Sequence, residues 1–324
     1  MTTLKLGTRG SCLALAQTEW VAQRLRAAGL AAQLVPVLTV GDGYSALRTA
    51  LATGQVDVVV HSYKDLPIEA DPRVVVAAVP ERADARDALV ARDRMVLGEL
   101  PAGAVLGTGS PRRGRQLHAL GLGLQVVPIR GNVDSRISRV STGEIDGVVI
   151  AAAGLARLGR LDEATELLDP LQMLPAPGQG ALACECRVDD LDTEHFLGTV
   201  LNDAGARAAV TAERALLAAV GDGSDAAVGA LADVVEDLDD DGRVVLRLFL
   251  RGAAATADGD LLRSSAIAPY SFGEDAVAPH SFGELTDAEN LGREVAAELL
   301  DLLAGALDGR TQRCATGSDG LNGK

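Results

Sequence analysis

Aromatic side chains are scarce in this chain of 324 residues: one Trp, three Tyr and four Phe make up 2% of it. Hydrophobic residues nevertheless reach 48%, so its cores have to be built from Ala, Val and Leu. Lysine is rarer still relative to expectation. Lys5, Lys64 and Lys324 are the only three among 30 basic residues. The four cysteines, Cys12, Cys184, Cys186 and Cys314, follow no zinc-ligand spacing. Cys184 and Cys186 also stand too close for an ordinary disulfide framework, which points to a reducing, cytoplasmic setting. No run of eighteen apolar residues exists, which excludes a helical membrane span. MTTLKLGTRG opens directly on a strand pattern and not on a signal peptide. Neither a Walker A pattern, a G-x-G-x-x-G with an acidic partner, an H-E-x-x-H pair nor an assignable Ser-His-Asp set occurs. No metal is therefore expected. A formal net charge of -15 argues against nucleic acid as a partner. Either a salt-rich cytosol or a bias of Arg over Lys accounts for this balance of charge.

Against that acidic background one segment is basic. Between Pro101 and Arg160 there are eight Arg, no Lys and three acids (Asp134, Glu144, Asp146). Five of the arginines (Arg112, Arg113, Arg115, Arg130, Arg136) fall in LGTGSPRRGRQLHALGLGLQVVPIRGNVDSR, Leu106 to Arg136. Guanidinium forks bind carboxylates at two points, which an ammonium does not. VLGT reads as a short buried strand, Ser110 as an N-cap and Pro111 as the first helical residue. A helix starting there aims free N–H groups and arginines at one place, an arrangement that suits an incoming anion.

Taken in order, LKLGT is a strand, and Ser11 caps a helix with apolar Leu13, Ala16, Trp20, Val21 and Leu25 that ends at Gly29. LVPVLTV is the next strand, Gly41 to Gly43 a turn, SALRTALATG a short helix and VDVVVHS a strand. The β-α-β alternation implies a parallel or mixed sheet, with functional groups at the carboxyl ends of its strands. Thr8 to Ser11, His61 to Asp65 and Thr108 to Ser110 stand at such ends. LGTRGS and LGTGS resemble each other, so two similar α/β domains could present two helix starts to one cleft. ERADARDALV reads as a charged hinge, GVVIAAAGL as a strand ending at Arg157, and LPAPGQGAL, which contains Gln179, as the return crossing. ARAAVTAERALLAAV opens a smaller third domain, with strands, acidic turns and a closing helix, ENLGREVAAELLDLLAGAL. APYSFGE and APHSFGE look like a duplicated loop, and the tail after Asp308 reads as disordered. Asp65 suits stabilising a cation or moving a proton, or equally a strand-capping ion pair with Lys64. Ser62 could bind a carboxylate or cap a turn. His61 reads as a packed residue.

These pieces resemble the porphobilinogen deaminase (hydroxymethylbilane synthase) family. The matching strings are GTRGSCLALAQ, VDVVVHSYKDLP, LPAGAVLGTGSPRRGRQL, IRGNVDSR, AAAGLARLG, LPAPGQGALACECR and VTAERALL, in family order up to Val220. The resemblance implies an α/β fold of three domains. The first two are similar to type II periplasmic binding proteins with a cleft between them, and the third is a small α+β domain. It divides the chain into 1–85 with 180–200, then 86–179, then 201–310, with 311–324 as the disordered tail. It implies head-to-tail condensation of four porphobilinogen units with release of ammonia, on a dipyrromethane cofactor, by a cytoplasmic monomer. Asp65 is then catalytic, facing pyrrole N–H groups beside the cationic azafulvene. Arg9, Ser11, Ser62, Lys64, Thr108, Ser110, Arg112, Arg113, Arg130, Arg136, Arg157 and Gln179 are implied to bind substrate and cofactor carboxylates. Arg113 is read as exposed in the cleft, so that losing it would cost little stability.

Two departures from the family pattern bear on activity. The loop that carries the cofactor cysteine in the family reads GDGSDAAVG here, with Ser224 at that position, and a hydroxyl is a poorer nucleophile than a thiol. The lid expected between the GD turn and HSYKD is roughly 15 residues shorter, in a region where long loops are usually functional. Cys12 also replaces a usual proline. Three readings follow: a working synthase, a family member with impaired or lost activity, and a binding module for a polycarboxylate or pyrrole. Retention of the arginines and Asp65 favours the first.

Overall fold

A computed structural model describes residues 3–38, 43–221, 227–256, 259–270 and 282–316, with the side chains of 285–306 described in the last of these. The first α/β unit contains β1 (Leu4–Thr8), α1 (Cys12–Ala27), β2 (Ala32–Pro36), α2 (Tyr44–Ala52), β3 (Val58–Ser62) and β4 (Val74–Ala78). The second contains β5 (Asp87–Ala91), β6 (Val105–Thr108), α3 (Pro111–Ala119), β7 (Gln125–Pro128), α4 (Val133–Ser141), β8 (Gly147–Ala151), α5 (Ala152–Arg157) and β9 (Glu166–Leu167). The chain then returns to the first sheet with β10 (Leu182–Arg187) and α6 (Leu191–Leu201).

The two sheets share one plan. Their strand orders are β2-β1-β3-β10-β4 and β7-β6-β8-β5-β9. In each, four strands run in one direction, and the strand that has just crossed from the other unit is inserted antiparallel: β10 beside β3 and β4, β5 beside β8 and β9. That shared plan accounts for the likeness of LGTRGS and LGTGS: β1 and β6 occupy equivalent places, and both lead into helices capped by serine. Valine-rich strands buried on both faces suit such a sheet. Leu6, Val21, Leu25, Val58, Val60 and Leu182 pack one face of the first sheet, and Leu47, Leu51, Val56 and Val59 the other. Each fully buried Leu or Val contributes about 1.5–3 kcal/mol, which aliphatic side chains supply here without aromatic help.

The third unit is α7 (Ala204–Val220), the antiparallel sheet β11 (Gly229–Leu238), β12 (Val244–Ala255) and β13 (Leu261–Pro269), and α8 (Phe282–Thr316). Leu216, Leu248, Leu250, Val295 and Leu299 fill the space between sheet and helices. Three sequence expectations change. GVVIAAAGL divides into β8 and α5, so Arg157 ends a helix and not a strand. The hinge is shorter than ERADARDALV, because Asp87 already begins β5. α8 runs on to Thr316, into the stretch expected to be a disordered tail. The duplicated SFGE loop lies for the most part outside the described residues, as does Ser224. Among the described residues no helix is long and apolar enough to cross a membrane.

The third unit is tied to both crossings by one carboxylate. Glu213 of α7 is fully buried. It accepts Arg82 Nη1 and Nη2 at 2.7 and 3.0 Å, the Gly178 N–H at 2.6 Å and the Ala232 N–H at 2.8 Å. Arg82 lies in the first crossing and Gly178 in the second. Removing one partner of a buried ion pair leaves the other charge uncompensated, at about 3–5 kcal/mol. Glu213→Ala should therefore lower the unfolding free energy by about that amount, measured by urea denaturation. A loss under about 1 kcal/mol, the range of exposed ion pairs, would show that the latch does not hold.

Candidate active site

The cleft between the two α/β units is a cavity of about 490 Å³ that takes its walls from both. Arg9, Ser11, Cys12, Leu13 and Lys64 line it from the first unit, and Arg113, Asn132, Arg136, Ile150 and Leu158 from the second. These are strand ends and helix starts. Ser11 caps α1 by accepting the Ala14 N–H, Ser110 caps α3 through the Arg113 N–H, and Asn132 caps α4 through the Ser135 N–H. Thr108, buried at the end of β6, accepts the Ser110 N–H and shapes that turn.

The basic residues fall into two groups. Arg112 and Arg113 are buried and share Asp87. Arg112 Nη2 donates to Asp87 Oδ2 at 2.8 Å, and its Nη1 donates to the Leu174 carbonyl. Arg113 donates from Nε and Nη2 to Asp87 Oδ1 at 2.9 and 2.7 Å, and from Nη1 to the Val149 carbonyl at 3.0 Å. Burial by itself would raise the Asp87 pKa, but the two guanidiniums outweigh it and hold the carboxyl well below the usual range. Arg113 is thus not the exposed arginine the sequence suggested, and Arg112 does not line the cleft.

The second group meets no carboxylate among the described residues. Arg9 lies over the Tyr44 ring, 5.9 Å from its centroid. Tyr44 stacks on His61 at 5.4 Å, and His61 Nε2 sits 3.2 Å from Glu185. Glu185 is also gripped by Arg48 at 2.6 and 3.2 Å. Arg136 donates from Nε to the Gly131 carbonyl at 2.8 Å; burial and the nearby Arg113 lower its pKa. Arg157 donates to the Gly180 carbonyl at 2.6 Å, and burial lowers it to about 10. Arg157 lines a small adjoining cavity with Gln17, Ser62 and Lys64, where Gln17 Nε2 donates to Ser62 Oγ at 2.7 Å. Arg130 is exposed beyond β7 and outside the cleft lining.

Lys64 and Asp65 follow β3 in one tight turn, Tyr63–Asp65. Lys64 Nζ donates to Gln179 Oε1 at 3.0 Å. Burial, then Arg113, push the Lys64 pKa down to about 8; Asp65 and Asp87 act the other way and Arg112 adds to the lowering. Asp65 is exposed and accepts no hydrogen bond from the described residues. Gln179 is fully buried behind Lys64 and Arg113.

Sequence reasoning missed Asp87, Glu213 and Glu185. Asp87 had one signal, an acid placed just before the apolar ALVA. The buried Cys184 and Cys186 thiols are pushed up to about 12, mainly by burial, which makes them inert at neutral pH. Among the described residues no cluster of His, Cys, Asp and Glu could hold a metal. The cations without acidic partners suit a group carrying several carboxylates, and the apolar Leu13, Ile150 and Leu158 suit flat rings between them. A dipyrromethane, with its acetate and propionate arms, fits that donor set. Arg9, Lys64, Arg136 and Arg157 would hold it, with Arg113 behind them.

Known proteins resemble this chain in sequence over most of its length. Residues 4–195 match the family model for the porphobilinogen deaminase dipyrromethane cofactor-binding domain. A porphobilinogen deaminase of Mycobacteroides abscessus is 54% identical over 321 residues, covering 95% of this chain and all of the relative. One from Nocardia farcinica is 54% identical over 315 residues, covering 93% of this chain and 86% of the relative. Among solved structures, an ABC transporter periplasmic substrate-binding protein from Coxiella burnetii aligns with TM-score 0.39 at 19% identity, over 58% of this chain and 86% of that one.

Two outcomes follow from the site. Arg113→Leu should destabilise the fold by about 3–5 kcal/mol, since it strands half of a buried ion-pair cluster; a stability change near zero in urea titration would contradict the Asp87 pairing. Carboxylate capture by Lys64 should weaken as pH rises through about 8, where its amine loses its proton. KM against pH checks this, and Lys64→Met should abolish that step in the profile.

Proposed function

We propose a division of labour among the cleft residues from the premise that this chain belongs to the porphobilinogen deaminase family. It is a hydroxymethylbilane synthase, a transferase that condenses four porphobilinogen units head to tail into a linear tetrapyrrole with loss of ammonia. The observation that carries the division is the set of cleft cations without protein carboxylates: Arg9, Lys64, Arg136 and Arg157. Half-buried guanidiniums without counter-ions are costly, and a ligand with several acid arms offsets that cost. When bound, the dipyrromethane supplies the pyrrole carbon to which the first unit is joined.

Arg9, Arg136, Arg157 and Lys64 grip acetate and propionate groups, and Ser11, Ser62 and Ser110 add hydroxyl donors. Arg112 and Thr108 hold the shape of the α3 start, and Arg113, which lines the cleft while paired with Asp87, adds a cation from the second unit. Arg130, exposed at the rim, guides acids towards the cleft. Asp65 is the catalytic acid residue. Its free carboxylate stands at the turn carrying Lys64, where it accepts pyrrole N–H groups and stabilises the positive charge left when ammonia departs. A negative group preset at that place is worth more than water, which would have to reorganise. Ser224 is the position the family uses for attachment. The free Cys12, Cys184 and Cys186 thiols support a reducing cytoplasm, and the net charge of -15 disfavours nucleic acid.

Purified protein given porphobilinogen should release ammonia and yield uroporphyrin after oxidation. Asp65→Asn should lower kcat by at least roughly 100-fold while leaving thermal unfolding unchanged. A near-normal rate in that variant would remove Asp65 from the chemistry.

A further inference from the structure

Two of the cleft's cations are set in place by one neutral side chain. Gln179 is fully buried in the second crossing between the α/β units. Its Oε1 accepts Lys64 Nζ at 3.0 Å and Arg113 Nη2 at 3.3 Å. Its Nε2 donates to Asp87 Oδ1 and the Ala85 carbonyl, each at 2.8 Å, and to the Arg86 carbonyl at 3.3 Å. The amide orientation is forced. Exchanging oxygen and nitrogen would face NH₂ with two cationic donors, and the oxygen with two carbonyls and a carboxylate. The backbone is held as well, since Arg82 Nε donates to the Gln179 carbonyl at 2.9 Å.

Lys64 comes from the first unit and Arg113 from the second. Sharing one acceptor, their nitrogens cannot be further apart than the two bonds laid end to end, a spacing that one carboxylate can bridge. Like charges this close repel. A lysine on a flexible four-carbon stem would turn away towards water unless something held it. We propose that Gln179 is a positioning residue that holds Lys64 against Arg113, so that one cation from each side of the cleft closes on the same substrate carboxylate. Gln179 does not touch that carboxylate itself; it acts through the two cations, and their pairing exists only while the units stand at this angle. The inference rests on Lys64 being a carboxylate-binding residue, as above.

The test is a double-mutant cycle on the full chain. Gln179→Met keeps the side chain's length and removes both bonds, and Lys64→Met removes the amine. KM and kcat for porphobilinogen are measured for each variant and for the pair, with thermal unfolding of all. In the wild type and Q179M, acylation of Lys64 by acetic anhydride is also followed by peptide mass spectrometry. Q179M should raise KM roughly tenfold, the scale of a lost hydrogen bond to a charged group. It should add nothing in the K64M background, and it should acylate several-fold faster at Lys64 because the amine is released. Losses that multiply in the pair, or an unchanged acylation rate, overturn the proposal and leave Gln179 a structural residue of the crossing. If Q179M does not unfold cooperatively, Gln179→Asn, which withdraws the amide by one CH₂, is judged by the same two criteria. A wild-type KM in K64M alone would instead sink the assignment of Lys64, and the proposal with it.

Discussion

Everything in this molecule meets at three residues, Gly178, Gln179 and Gly180. The third unit holds Gly178 N–H through Glu213, the first crossing holds the Gln179 carbonyl through Arg82, and α5 of the second unit holds the Gly180 carbonyl through Arg157. The first unit reaches the same place through Lys64. Such close gripping needs glycine on both sides. Gly178 and Gly180 have φ of +76° and +89°, and a Cβ on Gly180 would lie 2.3 Å from the Ala83 carbonyl oxygen. Backbone of this kind is open to glycine and strained for other residues.

That joint explains how an acidic protein keeps a basic hollow. Apart from Asp65, the acids near the cleft are already engaged: Asp87 by Arg112 and Arg113, Glu213 by Arg82, Glu185 by Arg48, Asp134 by Arg160. Those pairs hold the framework around the cleft, and among their cations Arg113 alone also lines it. The cations left over face the open space, and burial lowers the pKa of Lys64, Arg136 and Arg157. An arriving carboxylate relieves that burden, so binding draws on an electrostatic imbalance built into the fold.

Much of this was legible beforehand. Strand-to-helix turns at Thr8–Ser11, His61–Asp65 and Thr108–Ser110 announced themselves through short apolar runs ending in capping residues; the first two put Arg9, Ser11 and Lys64 on the cleft wall, and the third leads into α3, whose Arg113 lines it. The charge contrast of the Leu106–Arg136 stretch marked the arginine-rich wall. What could not be read was the sorting of those arginines. Arg112 and Arg113 are neighbours of Arg115 in sequence, yet their partner, Asp87, lies far back in a run of mixed charges. The pairing depends on β5 crossing between units and entering the second sheet antiparallel, which local pattern does not encode. Gln179 could be read only as a residue of a Pro/Gly-rich crossing and, by resemblance, as a carboxylate binder, because its contacts are with residues 66 and 115 positions away.

The central claim is that the leftover cations form a single seat for a growing polycarboxylate. Native mass spectrometry of the protein after brief exposure to porphobilinogen tests it most directly. The account predicts a ladder of complexes, each heavier than the last by one porphobilinogen less ammonia, whether the chain is held covalently or not. A spectrum of bare protein alone, at porphobilinogen concentrations well above those of the protein, would contradict it.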